Sequence, residues 1–176
     1  VHTYSGSGPY TVTLKASNSG GSSTASATVS LASTAPDISN VKVISCPTTV
    51  TAGQQFYFSE ETKNAGGTTA YAFYNNYYLS TDRTYSSADY YLGAKYVSSL
   101  APGASDSQTV TLTVPSNIPA GTYYFIMVMD ATGKVAESNE NNVWYYNTLI
   151  TVSRTVTPPV ASFRYSVSGK TVTFTD

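Results

Sequence analysis

Charged residues make up only 11% of this chain, yet Asp130, Glu137 and Glu140 fall with Asn139, Asn141 and Asn142 in one stretch, "DATGKVAESNENN". A second acidic loop, "TDRTYSSAD", holds Asp82 and Asp89. Oxygen-only ligands presented by irregular loops suit Ca²⁺, which takes six to eight of them at about 2.3–2.6 Å. One structural calcium held by members of either loop, from among Asp82, Asp89, Asp130, Glu137, Asn139 and Glu140, is therefore one expectation. The other is that Asp and Asn supply turn and capping hydrogen bonds, with Glu137 or Glu140 pairing with Lys134 or Arg83. Neither loop has EF-hand spacing. Val135, the apolar residue inside the first loop, reads as an anchor into a core.

Catalytic chemistry has little to work with. His2 is the only histidine, and no Ser-His-Asp or Cys-His set assembles around it. Glu60 and Glu61 form an adjacent carboxylate pair, but neighbouring side chains on a strand point to opposite faces, so the two cannot share a substrate. No catalytic residue is assigned, and the segment reads as non-enzymatic.

Aromatic residues are the other conspicuous resource, with 16 tyrosines against 6 phenylalanines. Tyr77, Tyr90, Tyr91, Trp144 and Tyr146 are candidates for protein contacts or for stacking against sugar rings. Where two tyrosines are adjacent, as at Tyr90-Tyr91, one ring must face outward. Outward rings favour packing against other proteins, because aromatics are enriched at interfaces. No Asn-x-Ser/Thr sequon occurs, while O-glycosylation of the many hydroxyl residues stays open.

The elements that would position these residues are strands. Roughly 50 Ser and Thr residues bias the chain toward strands and polar turns, and nearly every segment alternates with period two. "YTVTLKAS" and "STASATVSL" are joined by "NSGGS" as a hairpin. "SQTVTLTVP" and "TYYFIMVMD" are among the strand runs that follow, each closed by a Gly, Pro or Asn cluster. Residues 37–153 supply seven to eight such strands, enough for one antiparallel sandwich. Its inner face is expected from Val41, Val43, Phe56, Phe58, Phe73, Leu79, Leu92, Val110, Leu112, Val114, Tyr124, Ile126, Val128, Val143, Tyr145 and Leu149. Each such residue, fully buried, contributes about 1.5–3 kcal/mol, so the unit can stand without disulfides. The lone Cys46 reads as a small apolar packing residue.

The fold class is all-β: a central immunoglobulin-like antiparallel sandwich flanked by two partial Ig-like pieces. The expected division is 1–31, a linker at 32–36, the sandwich at 37–153, a linker at 154–159, and 160–176. The two ends offer a hairpin each, too little for independent domains. The chain thus reads as a mature fragment or a segment of a longer one.

Family resemblances fit this layout. "HTYSGSGPYTVTLKASNSGGSSTASATVSL" resembles the C-terminal part of PKD (polycystic kidney disease) domains, and "PPVASFRYSVSGKTVTFTD" the N-terminal part; the Trp-Asp-Phe-Gly-Asp-Gly stretch of that family's middle is missing. The centre, along nearly all of 36–152, resembles the CARDB family (cell adhesion related domain found in bacteria). The residues that carry this are the opening "PD", "AG" before the second strand, "KNAG" after it, "YLSTD", "LAPG", "IPAGTYY" and "VAESNENN". The tyrosine loading of "YNNYYL" and "VWYYN" departs from that family's usual aliphatic or small residues. The resemblance implies an Ig-like sandwich on secreted or cell-wall proteins of prokaryotes, adhesive or structural in role.

The expected function is a non-catalytic structural or adhesive module of a secreted or cell-surface protein: a stalk, surface-layer or filament subunit. Its partners would be other copies of itself or neighbouring surface-protein domains, and head and tail hairpins could complement each other from copy to copy. The alternative is a glycan-binding accessory module of a secreted hydrolase. A net charge of −1 with no basic stripe argues against nucleic acid. No apolar run approaches the length of a membrane helix, so no membrane insertion is expected within the segment.

Overall fold

The computed structural model describes residues 3, 8–31, 34–156 and 159–175, apart from the side chains at 40 and 41. His2, both ends of the 32–33 pair and the 157–158 pair lie outside the described residues, as does the side chain of Val41. Among the described residues there are strands and turns but no helix.

Two hairpins and a sandwich account for the twelve strands among the described residues. The first hairpin joins β1 (Tyr10–Asn18) and β2 (Gly21–Val29) in an unbroken antiparallel register. The last joins β11 (Arg164–Ser168) and β12 (Thr171–Thr175). Between them run β3 (Ile38–Ser45), β4 (Thr49–Thr51), β5 (Gln55–Asn64), β6 (Ala70–Ser80), β7 (Tyr90–Leu100), β8 (Ser105–Thr113), β9 (Gly121–Val128) and β10 (Val143–Ser153). These form a three-stranded sheet, β3-β5-β8, and a five-stranded sheet, β4-β10-β9-β6-β7. The pairings are antiparallel except for β4, which lies parallel to the end of β10.

The core lies between the two sheets. Phe58, Phe73, Tyr77, Leu79, Leu92, Leu112, Phe125, Met127 and Ile150 are all buried there, and Phe58 packs on Phe125 and on Tyr77 at ring-centroid distances of 4.5 and 5.4 Å. Val135 reaches the same cluster from its loop, as its isolated apolar character implies. Val43, Phe56 and Val110 pack on the rim of the core, half-buried.

The inner face departs from expectation on two strands. On β9 the residues facing the core are Tyr123, Phe125 and Met127, whereas Ile126 and Val128 join Tyr78 in a small cluster on the opposite side of the sheet. Tyr124 shares that outer parity. On β10, Val143, Tyr145 and Leu149 are exposed, and the core takes Ile150 and Val152 instead. A break in register between Tyr146 and Ile150 shifts the second half of β10 against β9. The physical reason is that "YYFIMVM" is apolar on both parities, so alternation selects neither face. On β10 the even positions Tyr146, Ile150 and Val152 face the core on both sides of the register break, so the odd set Val143, Tyr145 and Leu149 is outward throughout.

Candidate functional site

Three arrangements of polar or aromatic groups carry chemical potential. The first is the pair of acidic loops. Asp82 Oδ1 accepts the Thr84 N–H at 2.7 Å, and Asp89 Oδ2 accepts the Ser86 N–H at 2.8 Å. Asp130, buried, accepts the Val135 N–H at 2.8 Å and so holds the anchor of its loop in place. Glu140 accepts the Glu137 N–H at 2.8 Å, and Asn139 accepts the Asn141 N–H at 3.2 Å. Glu137 in turn accepts the Ile38 N–H through Oε2 and the Asn142 amide at 2.8 Å through Oε1. Each acid is thus engaged in a local turn or in tying its loop to the sandwich. Among the described residues no three His, Cys, Asp or Glu side chains come together as a metal would require. Glu137 and Glu140 are engaged by these N–H groups and by Asn142 rather than by Lys134 or Arg83, while Lys42 pairs with Glu61 at 3.2 Å and Lys95 with Asp106.

The second arrangement is the outer face of the five-stranded sheet. Arg83 lies over the rings of Tyr124 and Tyr145, 5.2 and 5.1 Å from their centroids. Such cation–π contacts fix a guanidinium without a carboxylate partner. Beside them Tyr78 packs on Tyr85 and Tyr91 at 4.9 and 5.5 Å, and Tyr74 on Tyr96 at 5.1 Å. Tyr91 and Tyr96 are about half exposed, at 50% and 53%, and Tyr145 and Tyr74 nearly so. The result is a tyrosine field that runs across β7, β6, β9 and β10. The outer face of the other sheet is ordinary by comparison, with Ser59 bonded to Thr109 and Lys42 to Glu61.

Of the aromatic candidates, Tyr91 belongs to this field, and Trp144, 42% exposed, lines a cleft of about 410 Å³ with Ser39, Asn139, Asn141, Tyr145 and Asn147. Tyr90 and Tyr146 are half-buried against the core, Tyr90 edge-on to Tyr123 at 5.8 Å. Tyr77 is a correction: it is fully buried, because its parity on β6 turns it inward between Phe73 and Leu79. Its ring cannot stack on any ligand.

The third arrangement was not anticipated. Glu60, Thr62, Asn75 and Lys95 are polar yet buried in the sandwich interior. Tyr77 donates its hydroxyl to Glu60 Oε1 at 2.6 Å, and Asn75 Nδ2 donates to Thr62 Oγ1 at 2.9 Å. Thr62 and Asn75 each also approach Glu60 Oε1 at 3.4 Å. Lys95 contacts Asp106 Oδ2, and Gln108 donates to Asp106 Oδ1 at 2.9 Å. The signal was present in "FYFSEETKN": Glu60, Thr62 and Asn64 continue the parity of Phe56 and Phe58, so a strand that buries the phenylalanines buries them too. Glu61 faces the other way, to Lys42.

A family model described as CARDB matches residues 35–147 of the chain. No curated protein matches it. Among solved structures, the crystal structure of a CARDB domain from Pyrococcus furiosus, in complex with di-metal ions, is 22% identical. It covers 71% of this chain and 95% of that one, with a TM-score of 0.48. A solution structure of the same archaeal domain is 20% identical over 66% of this chain and 93% of its own, with a TM-score of 0.45. A β-glucosidase from Listeria innocua in complex with glucose is 14% identical over 66% of this chain but only 16% of the enzyme, with a TM-score of 0.45.

Proposed function

We propose, since the chain belongs to the CARDB family, that it is an adhesive module of a prokaryotic secreted or cell-surface protein whose contact surface is the outer tyrosine field. The family is adhesion-related and non-catalytic. The single observation that carries the contact assignment is the asymmetry of the two outer faces: one is mainly polar with Tyr57 and Ile44 exposed on it, the other clusters Tyr74, Tyr85, Tyr91, Tyr96 and Tyr145 around Arg83 and the buried Tyr78. Large apolar rings with a wet hydroxyl edge suit reversible contact between proteins. Beads coated with the chain should cluster, and a Tyr91→Ser, Tyr96→Ser variant with unchanged circular dichroism should not. Clustering equal in variant and parent would overturn the assignment.

The hairpins extend this reading. Each leaves apolar side chains bare, Leu14 in the first and Phe163, Val167 and Phe174 in the last, and each is read as part of a PKD-like sandwich joined by the linkers 32–36 and 154–159. Pairing of one copy's first hairpin with the next copy's last would cover both faces and build a head-to-tail assembly. Sedimentation velocity across a concentration series tests it. Growing oligomers that Leu14→Thr with Phe174→Thr returns to monomer support the pairing, and a monomer throughout rejects it.

A glycan-binding accessory role is the second reading, favoured by the Trp144 cleft with its three asparagines. Glycan-array binding that Trp144→Ala abolishes would move the assignment there.

A further inference from the structure

We propose that Lys95 and Asp106 become joined, side chain to side chain, by an amide bond that the folded chain forms by itself. The two residues lie on β7 and β8, the strands that face each other at the open edge of the sandwich, one from each sheet. Lys95 points inward with only 4% of its side chain accessible, and its Nζ rests on Oδ2 of Asp106. Glu60 lies on the same inner face as Asp106, on the neighbouring strand and two positions out of register, since Thr62 is the residue opposite Asp106. A lysine shut off from solvent thus meets an acceptor carboxyl that keeps 22% of its side chain accessible, with a second, fully buried carboxyl on the neighbouring strand.

The charge balance favours this chemistry. Lysine is almost never fully buried unless paired, and breaking up or half-satisfying a buried ion pair is costly. An amide replaces the ammonium of Lys95 and the carboxylate of Asp106 by one neutral group, leaving Glu60 to be held by Tyr77, Thr62 and Asn75. One detail fits the product: Asn75 Oδ1 is buried without a hydrogen-bond partner, and Asn75 is the residue opposite Lys95 in the β6–β7 register. The N–H of the new amide is the donor this acceptor lacks.

The step balances without a co-reactant. Glu60 accepts a proton from the Lys95 ammonium, and the freed amine lone pair attacks Cγ of Asp106. The tetrahedral adduct collapses by breaking one C–O bond, and that oxygen departs as water. Of the three ammonium protons, one stays on the amide nitrogen and two leave in the water, carried through Glu60, which ends as it began. Neither oxidation state changes. Fixing the reacting groups side by side supplies the effective concentration, and the burial of Lys95, 4% accessible, limits the return of water to the amide from its side. The leaving water has an exit, because Asp106 borders a surface cleft of about 500 Å³ with Ser105, Gln108 and Tyr96. The bond would staple the two sheets in a chain whose single cysteine rules out an internal disulfide.

Intact mass spectrometry of the full 176-residue chain, denatured before injection, tests the proposal. The expected mass is lower than the sequence mass by one water, and proteolysis should yield one branched peptide containing Lys95 and Asp106. Lys95→Met and Asp106→Ala should each restore the full sequence mass, as should Glu60→Gln with its circular dichroism unchanged. A folded parent chain at full sequence mass overturns the proposal. So does a missing water that survives in Lys95→Met, since the dehydration then lies elsewhere. A Glu60→Gln chain that still lacks the water removes Glu60 from the reaction.

Discussion

The hydroxyl of Tyr77 on β6 donates to Oε1 of Glu60 on β5 at 2.6 Å, bridging the two sheets inside the core. Both side chains are fully buried. Burial first, and then the charge of Glu60, hold the phenol far above its ordinary pKa, so it stays a donor. Tyr77→Phe keeps the ring contacts with Phe58 but takes from Glu60 Oε1 its 2.6 Å donor, a shorter contact than the 3.4 Å approaches of Thr62 and Asn75. A buried acceptor that loses its best donor costs about 1–3 kcal/mol. Urea unfolding should show that loss in the midpoint with little change in slope, and an unchanged midpoint would mean that Glu60 is satisfied by other groups.

How far the sequence revealed this interior can be judged from individual strands. On β5 the alternation placed Phe56 and Phe58 inside without ambiguity, and Glu60 and Thr62 followed by parity alone. They were legible in principle, but a carboxylate in a core has meaning only when its partners on β6, Asn75 and Tyr77, are known. Those partners come from strands 15 or more positions away, which no local pattern relates. On β9, where Tyr123 to Met127 are apolar on both parities, the inward set was chosen wrongly. The tyrosine field needs both corrected strands, because Tyr124 and Tyr145 belong to the outer face that also holds Arg83.

Asn64 ends β5 as a fully buried clamp. Its Nδ2 donates to the carbonyls of Thr68 and Leu100 at 2.8 and 2.9 Å, while Oδ1 accepts the N–H groups of Asp37 and Gly66 at 3.1 and 3.0 Å. An amide alone offers two donors and two acceptor sites in this geometry. Asn64→Asp keeps the shape but turns a second acceptor toward two carbonyls, so it should destabilise the sandwich by about 2–4 kcal/mol. Thermal unfolding followed by circular dichroism measures it. Gly66, which packs so closely that a Cβ would lie 2.2 Å from the Ala35 carbonyl oxygen, should be equally intolerant of alanine.

Cys46 sits half-buried at the rim of the core, and burial pushes its thiol up to about 12. Reactivity toward alkylating agents follows the thiolate fraction, which is very small at neutral pH for such a group. Iodoacetamide should therefore label the folded chain far more slowly than the urea-unfolded one at the same pH. Equal rates would place the thiol in solvent.

Glu137 should make stability depend on pH in a direction opposite to most carboxylates. Burial is the largest influence on it and raises its pKa to about 7, against the lowering effect of the Ile38 N–H and the Asn142 amide, with the charges of Asp130 and Glu140 adding to the rise. In the unfolded chain the carboxyl returns to its ordinary value near 4.5. Between these two values the folded state binds more proton than the unfolded one, so stability falls as pH rises. The contribution is whole below about 4.5 and is lost by about 7. The neutral carboxyl also has a place for its proton: Asn142 Oδ1 is buried without a partner, and rotating that amide by half a turn presents it as the acceptor. Glu137→Gln, which carries a permanent N–H donor at the same position, should remove this component. The difference in unfolding midpoint between variant and parent, followed from pH 4.5 to 8 in about half-unit steps, should then move in the variant's favour as pH rises. A constant difference across that range would show that Glu137 ionises alike in the folded and unfolded chain.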